Sequence, residues 1–239
     1  MFCIELWNSN IRELYGIHYG GRMKLVFIGP PGVGKGTYAS RLSKIYSIPH
    51  ISTGDIFREE IKKETELGRK IKNFVEKGEL VPDDIVIETI KKRLSEKDCE
   101  KGFILDGFPR TLEQAKVLDR ILDEEGKKLD TVIEIQVPDE RLVERAVGRL
   151  SCKCGEVYHE IYNPPRTEGI CDRCGGKLYK REDDTAETMY SRIKTYKMKT
   201  IPLIKYYFQK GILRTVNGDQ DIEKVFWEIE KILNKIKKD

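Results

Sequence analysis

Apolar and polar positions along the chain follow two rhythms. Residues 24–28, KLVFI, form a short apolar run halted by Gly29-Pro30-Pro31-Gly32, which predicts a buried parallel strand entering a loop. From Gly34 the period lengthens, and Ala39, Leu42 and Ile45 fall on one face of a predicted helix. GFILD (102–106), TVIEIQV (131–137) and ILRTV (212–216) read as further strands, each separated from the next by helical pattern. Near the C-terminus Ile222, Val225, Phe226, Ile229, Leu233 and Ile236 recur at helical spacing, a packing stripe with no chemical message. Alternation of this kind predicts an α/β fold with a parallel sheet flanked by helices.

Two stretches break the alternation. Residues 52–82 predict short, highly charged helices, and residues 148–182 carry clustered cysteines instead of an apolar rhythm. Both are expected to be insertions on the loop edge of the sheet, leaving 23–51, 83–147 and 183–239 as the core. Residues 1–22 give no clear element signal. They are expected to be a loosely held leader, or an over-extended reading frame whose natural start is Met23.

Composition narrows the classes. Lys plus Arg number 44 against 40 Asp plus Glu, a net charge of +4, and the two signs are interleaved, so the footprint of a nucleic-acid binder is missing. Charged residues make up 35% of the chain, with Lys and Glu prominent, the balance that ion-pair networks favour at high temperature. No apolar run reaches the roughly 18 residues of a membrane span, and the first residues do not resemble a signal peptide. The expectation is a cytoplasmic monomer with no membrane partner. In a reducing compartment clustered cysteines are more often metal ligands than disulfides.

The chemistry begins at GPPGVGKGT, residues 29–37. Between a predicted strand and a predicted helix, such a string forms the phosphate cradle of a P-loop NTPase fold. Gly32 and Gly34 let backbone N–H groups curl toward an anion, the helix N-terminus adds partial positive charge, and Lys35 reaches the outer phosphates. The generic loop has Ser or Thr directly after its Lys to hold Mg²⁺; here Gly36 intervenes and the hydroxyl is on Thr37. Mg²⁺ is therefore expected to be held mostly through phosphates and water. Asp106, ending the 102–106 strand, is the candidate for organising its hydration shell.

Taken in order, GPPGVGKGT, ISTGDIFR (51–58), GFILDGFPRTLEQA (102–115) and REDD (181–184) followed by Arg192 resemble the adenylate kinase family in its long-lid, metal-carrying form, from Met23 to the C-terminus. The resemblance implies Mg²⁺-dependent phosphoryl transfer, ATP + AMP = 2 ADP, with residues 52–82 as the monophosphate-binding insertion and 148–182 as a lid over ATP. It implies phosphate contacts from Lys35, Arg58, Arg110, Arg149, Arg181 and Arg192, an arginine set in place of a catalytic base. Guanidinium forks grip phosphate bidentately and stay charged. By the same matching Gly32, Val33, Gly34, Lys35, Gly36, Thr37, Arg145, Arg149, Val157, Tyr158 and Gln220 are implied in binding ATP. Thr53, Arg58, Glu79, Leu80, Val81, Gly107, Phe108, Pro109, Arg110, Gln114, Arg181 and Arg192 are implied in binding AMP. Gln114 would read the adenine edge, and Thr53 resembles members that prefer adenylate. Another acceptor base, or GTP as donor, is the alternative within the same class.

Cys152-x-Cys154 and Cys171-x-x-Cys174, with sixteen residues between the pairs, read as a metal finger. On the resemblance this finger is the lid, too small to bury much apolar surface, and a closed four-thiolate Zn²⁺ site would supply its folding energy without catalysing anything. Fe²⁺ or Co²⁺ also suit thiolates, and free or disulfide-linked cysteines are the other reading. The first pair is one residue tighter than the family spacing, so its turn around the metal must be sharper. A nucleic-acid-binding zinc ribbon is the rival from another class. It is disfavoured because Arg166, Arg173 and Lys177 are matched by Glu160, Glu168 and Asp172. Cys3 and Cys99 read as ordinary residues, and the three histidines as packing or hydrogen-bonding groups.

Overall fold

Strand β1 (Met23–Ile28) lies at the centre of a five-stranded sheet that also contains β2 (His50–Ser52), β3 (Gly102–Asp106), β4 (Thr131–Gln136) and β8 (Leu213–Asn217), in the order β2-β3-β1-β4-β8. All four pairings are parallel. The structure, a computed structural model, describes residues 23–236; the reading of residues 1–22 lies outside them. Successive β1 side chains go to opposite faces. Val26 and Ile28 join one hydrophobic core with Leu105 and Val132, while Leu25 and Phe27 join the other with Ile133 and Ile135. Burying each such side chain contributes roughly 1.5–3 kcal/mol.

Helices α1 (Lys35–Tyr46), α2 (Thr53–Lys62), α3 (Glu66–Glu76), α4 (Asp83–Leu94), α5 (Leu112–Glu124), α6 (Asp139–Val147), α7 (Ala186–Thr195), α8 (Ile201–Gln209) and α9 (Ile222–Ile236) follow in chain order. Helix α1 buries Tyr38, Ala39, Leu42 and Tyr46, whereas Ile45 is only half-buried. Side chains of Ser52, Thr111 and Thr185 cap α2, α5 and α7 by accepting the N–H groups of Asp55, Gln114 and Thr188. The expected C-terminal stripe is α9, with Val225, Phe226, Ile229 and Leu233 buried.

Two elements have no signature in the sequence. Strand β2 is three residues following Pro49, with no apolar run of its own, and exists through its register with β3, His50 beside Ile104 and Ser52 beside Asp106. The cysteine segment contains a three-stranded antiparallel sheet of β5 (Arg149–Cys152), β6 (Val157–His159) and β7 (Leu178–Tyr179), in the order β6-β5-β7.

Because β1 is flanked by β3 on one side and β4 on the other, the sheet reverses its order there. In open parallel sheets ligands bind in the crevice this creates at the carboxyl ends of the strands. Asp106 ends β3 level with Phe27, one residue before β1 runs out into the glycine-rich loop.

Candidate nucleotide cleft

The loop after β1 turns at Gly32 and Gly34, whose φ values are +81° and +95°. A Cβ on Gly32 would approach the Leu142 carbonyl oxygen to 2.6 Å, so neither the conformation nor the space admits a side chain. Lys35 opens α1 and curls back, its Nζ donating to the carbonyls of Gly29 at 2.8 Å and Pro30 at 2.9 Å. Burial is the main influence on this ammonium and pulls its pKa down to about 8; Asp106 opposes the shift, while Arg110, Arg149 and Arg192 add to it. One lysine thus senses three of the predicted arginines, and all of them border one cleft.

Asp106 stands against the first turn of α1. A Cβ on Gly36 would lie 3.3 Å from its Oδ2, and His50 Nε2 is 3.4 Å from the same oxygen. Burial works to raise the Asp106 pKa, but the His50 hydrogen bond and the Lys35 charge together bring it down to about 2. A carboxylate depressed in the folded state stabilises the protein above its unfolded pKa, so this contribution is complete above about pH 4 and drains away as pH falls toward 2. Its size is about 2 kcal/mol. Urea unfolding at a series of pH values between about 2.5 and 6 should therefore give a flatter acid limb for Asp106→Asn than for the parent. Superimposable limbs would contradict the assignment.

The arginines divide by partner. Arg149 holds Asp184 with two parallel bonds, Nε at 2.8 Å and Nη2 closer still. Arg192 is paired with Asp183, which also lies 3.5 Å from Arg58. Asp55 accepts from Arg58 at 2.5 Å and from Arg181 at 3.1 Å. Against the effect of burial, these pairings lower the Asp55 and Asp183 pKa values and raise that of Arg58. Arg110 differs. Its Nε donates to Gly107 O at 2.8 Å, and among the described residues its two Nη groups have no hydrogen-bond or ion-pair partner. Burial, reinforced by the like charge of Arg192, draws its pKa down to about 10. A sheltered guanidinium with its fork free is poised for an anion.

Of the remaining predicted residues, all but Phe108 line the same cleft. Thr53 is buried and donates to Gly107 O at 2.9 Å, beside Gly54 and Asp55. Val81 is buried, Leu80 half-buried and Glu79 exposed, all three lining the cleft. Gln114 is 1% exposed, and its amide is already engaged, donating to Asp83 at 2.7 Å and accepting from Arg110 N at 2.7 Å; one N–H and one lone pair remain. Pro109 borders the cleft, but the Phe108 ring is fully buried in the core, leaving only its backbone to the loop. Arg145 reaches Gly218 O at 3.0 Å, and Gln220 binds Asn217 O at 3.0 Å and Glu228 at 3.2 Å. Val33, Thr37 and Val157 line the cleft with Lys35. Tyr158 is buried beside Cys152 and Cys171. Its hydroxyl accepts Asp172 N–H at 2.9 Å and sits 3.6 Å from Cys171 Sγ, so it packs the cysteine cluster.

The sulfurs of Cys152, Cys154, Cys171 and Cys174 lie within 4.8 Å of one another, with 3.5 Å between Cys152 and Cys174 and 3.7 Å between Cys154 and Cys171. Tetrahedral Zn–S bonds of ~2.3 Å place sulfurs about 3.8 Å apart, so the donor set suits such an ion. The thiols are free, not disulfide-linked. The tight first pair is accommodated by Gly155 at φ +86°, where its N–H bonds Cys152 O at 3.0 Å and Cys152 N–H bonds Glu156 O at 2.9 Å. His159 lies outside the cluster. Its Nδ1 accepts the N–H groups of Ile161 and Tyr162, and its Nε2 is 3.4 Å from Glu144 O, which fastens β6 to the end of α6.

Several contributors carry no signal of their own in the sequence: Asp55, Asp83, His50 and Thr200. Asp183 and Asp184 stand in plain view in REDD, where two acids beside an arginine already hint at guanidinium partners.

A glycine-rich loop between β1 and α1, at the point where a parallel sheet reverses its order, defines a P-loop nucleotide-binding enzyme. A model of the adenylate kinase family matches residues 27–212. Curated adenylate kinases from Archaeoglobus fulgidus, Caldicellulosiruptor bescii and Methanosarcina mazei are 57%, 55% and 54% identical, covering 90%, 88% and 89% of this chain and 100%, 99% and 99% of the relatives. The chain belongs to the adenylate kinase family, and it is an enzyme of the phosphotransferase class.

Proposed function

We propose that the protein catalyses the reversible, Mg²⁺-dependent reaction ATP + AMP = 2 ADP and so balances the adenine nucleotides. The observation that carries the reading is Arg110, a guanidinium with an unpaired fork among the described residues, sharing a cleft with Lys35 and with arginines held in reserve by carboxylates. That cleft measures about 3830 Å³, several times the roughly 300–1,000 Å³ of a site for one small molecule, which suits two nucleotides bound together. The names of the relatives point the same way.

In this reading residues 52–82 form the monophosphate insertion, 148–182 the lid, and the rest of 23–239 the core. The glycine-rich loop and Lys35 hold the ATP phosphates, and Arg145 and Gln220 lie toward its base. Thr53, Arg58 and the 107–114 loop take AMP. Asp55, Asp183 and Asp184 act as internal counter-ions that exchange for phosphate when nucleotides enter, which spares the arginines the cost of unpaired burial. The attacking AMP phosphate, with a second pKa near ~6, is already ionised, so no general base is needed. As the terminal phosphoryl leaves ATP for an AMP oxygen, negative charge spreads over its equatorial oxygens, where Lys35, Arg110, Arg149, Arg181 and Arg192 are aimed. Thr37 and Asp106, adjoining the first turn of α1, would hold the hydrated Mg²⁺, which supplies charge neutralisation between phosphates. Zn²⁺ in the four-thiolate cluster would be structural, and reduced thiols suit a cytoplasmic setting.

Formation of ADP from ATP plus AMP, followed with and without Mg²⁺ and repeated with GTP as donor and with CMP, UMP and GMP as acceptors, tests this. ADP should form fastest from the adenine pair and only with Mg²⁺. A preference for another pair would favour the alternative base choice, and no transfer by any pair would end the reading.

A further inference from the structure

We propose that Thr200 is a positioning residue for Arg110, and that the π-helical turn carrying it exists to deliver its hydroxyl to the Arg110 backbone. The inference rests on the phosphoryl-transfer reading only in taking Arg110 to bind phosphate.

Helices α7 and α8 are joined by Tyr196–Thr200, a π-helical segment in which Ile201 N–H bonds Tyr196 O. A π turn inserts about one residue into an α-helix, so everything after it is rotated by about 100° relative to an uninterrupted helix. Such turns are uncommon and recur at functional sites. Here the rotation points Thr200 inward. Its side chain is 6% exposed, and its Oγ1 donates to Arg110 O at 2.9 Å, a partner 90 residues away in sequence. A helical threonine ordinarily bonds a carbonyl three or four residues back in its own helix, as Thr195 does with Ser191 O at 2.9 Å. Thr200 reaches instead across to the loop after β3.

That loop needs an external hold. The Arg110 fork has no partner among the described residues, and the neighbouring Arg192 repels it, so no ion pair fixes its direction. Apart from the bond of its Nε to Gly107 O at 2.8 Å, its position is set by its backbone, gripped on both sides: Arg110 N–H donates to Gln114 Oε1 at 2.7 Å and Arg110 O accepts from Thr200. The first grip is itself braced, since Asp83 receives Gln114 Nε2 at 2.7 Å and Thr111 Oγ1 at 2.7 Å. The second comes from the segment that follows Arg192 on α7, so one stretch of chain fixes the spacing of two guanidiniums that repel each other. Leu203 and Tyr207, both fully buried on α8, anchor the far side of the turn in the core.

The test compares Thr200→Val, which keeps shape and loses the donor, with Thr200→Ser, which keeps the donor. Thr200→Ala serves as a second donor-free variant should Val fail to fold. Each is made in the parent and in Arg110→Lys. In the parent, Val should lower kcat about tenfold with KM for ATP changed less than twofold and the melting curve little moved, and Ser should restore kcat to within twofold of the parent. In Arg110→Lys the same Val change should cost less than twofold, because the group being aimed is gone. Calorimetric binding of AMP is measured on the same proteins, with the Val variant expected to bind at least threefold more weakly and Ser like the parent. Parent-like kcat and binding in Val and Ala, an undiminished effect in Arg110→Lys, or failure of Ser to restore would each overturn the proposal. A parent without transferase activity that still shows the same AMP-binding pattern would sink the functional reading and leave the role of Thr200 standing.

Discussion

Lys35→Met is expected to lose about 10³-fold in kcat while the melting temperature stays near that of the parent. Removing a single group aimed at developing charge costs about 10²–10³ in rate, and Lys35 carries a full charge in a site sheltered from water. Methionine keeps most of the aliphatic stem, so the packing of the first α1 turn survives. Folding is not expected to suffer greatly, because burial of the ammonium is itself unfavourable, as its pKa of about 8 records. The carbonyls of Gly29 and Pro30 lose their donor, a loss on the order of 1–3 kcal/mol that relief of the buried charge partly offsets. The same pKa gives a companion expectation for the unmodified protein. With rising pH the nucleotide-free enzyme sheds this proton near pH 8, so kcat/KM for ATP should fall above that value with a single-proton slope. Turnover of Lys35→Met within tenfold of the parent would remove Lys35 from the mechanism.

On the proposed reading of the four-thiolate cluster as a structural metal site, Cys171→Ser with Cys174→Ser should lower metal content from one ion per chain to none and reduce the melting temperature by about 10 °C or more. The apolar group around these thiols is small, with Cys152, Tyr158 and Cys171 buried and only Leu150, Cys154 and Leu178 packed on them. So little apolar burial cannot offset the entropy of ordering the 148–182 segment, whereas structural zinc sites contribute roughly 10 kcal/mol or more of folding free energy. Several kcal/mol lost from a chain of this size corresponds to a shift of that order. Proteolysis within the segment should quicken in step. Turnover at moderate temperature should persist, because a closed four-thiolate shell offers substrate no coordination site. An unchanged melting temperature in metal-free protein would refute the structural role, as would turnover lost while the segment stays folded.

The glycine-rich loop, its strand and helix, and the four cysteines are legible in the amino-acid sequence alone because each is a local pattern. The residues that act together lie within a few positions of one another, and apolar period or ligand spacing records them directly. The same holds for the α9 stripe, whose face is written in its spacing. The arginines are legible too, but their partners are not. Which carboxylate meets which guanidinium depends on where the chain returns, as when Asp55 meets Arg181 and Asp183 meets Arg58, each pair far apart in sequence and brought together only by folding. Tertiary structure alone decided that Phe108 faces the core, that Tyr158 serves the thiols, that β2 is a strand, and that a one-residue excess in a helix turns Thr200 onto Arg110. A side chain's direction and its distant neighbour follow from packing, which leaves no period in the sequence to read.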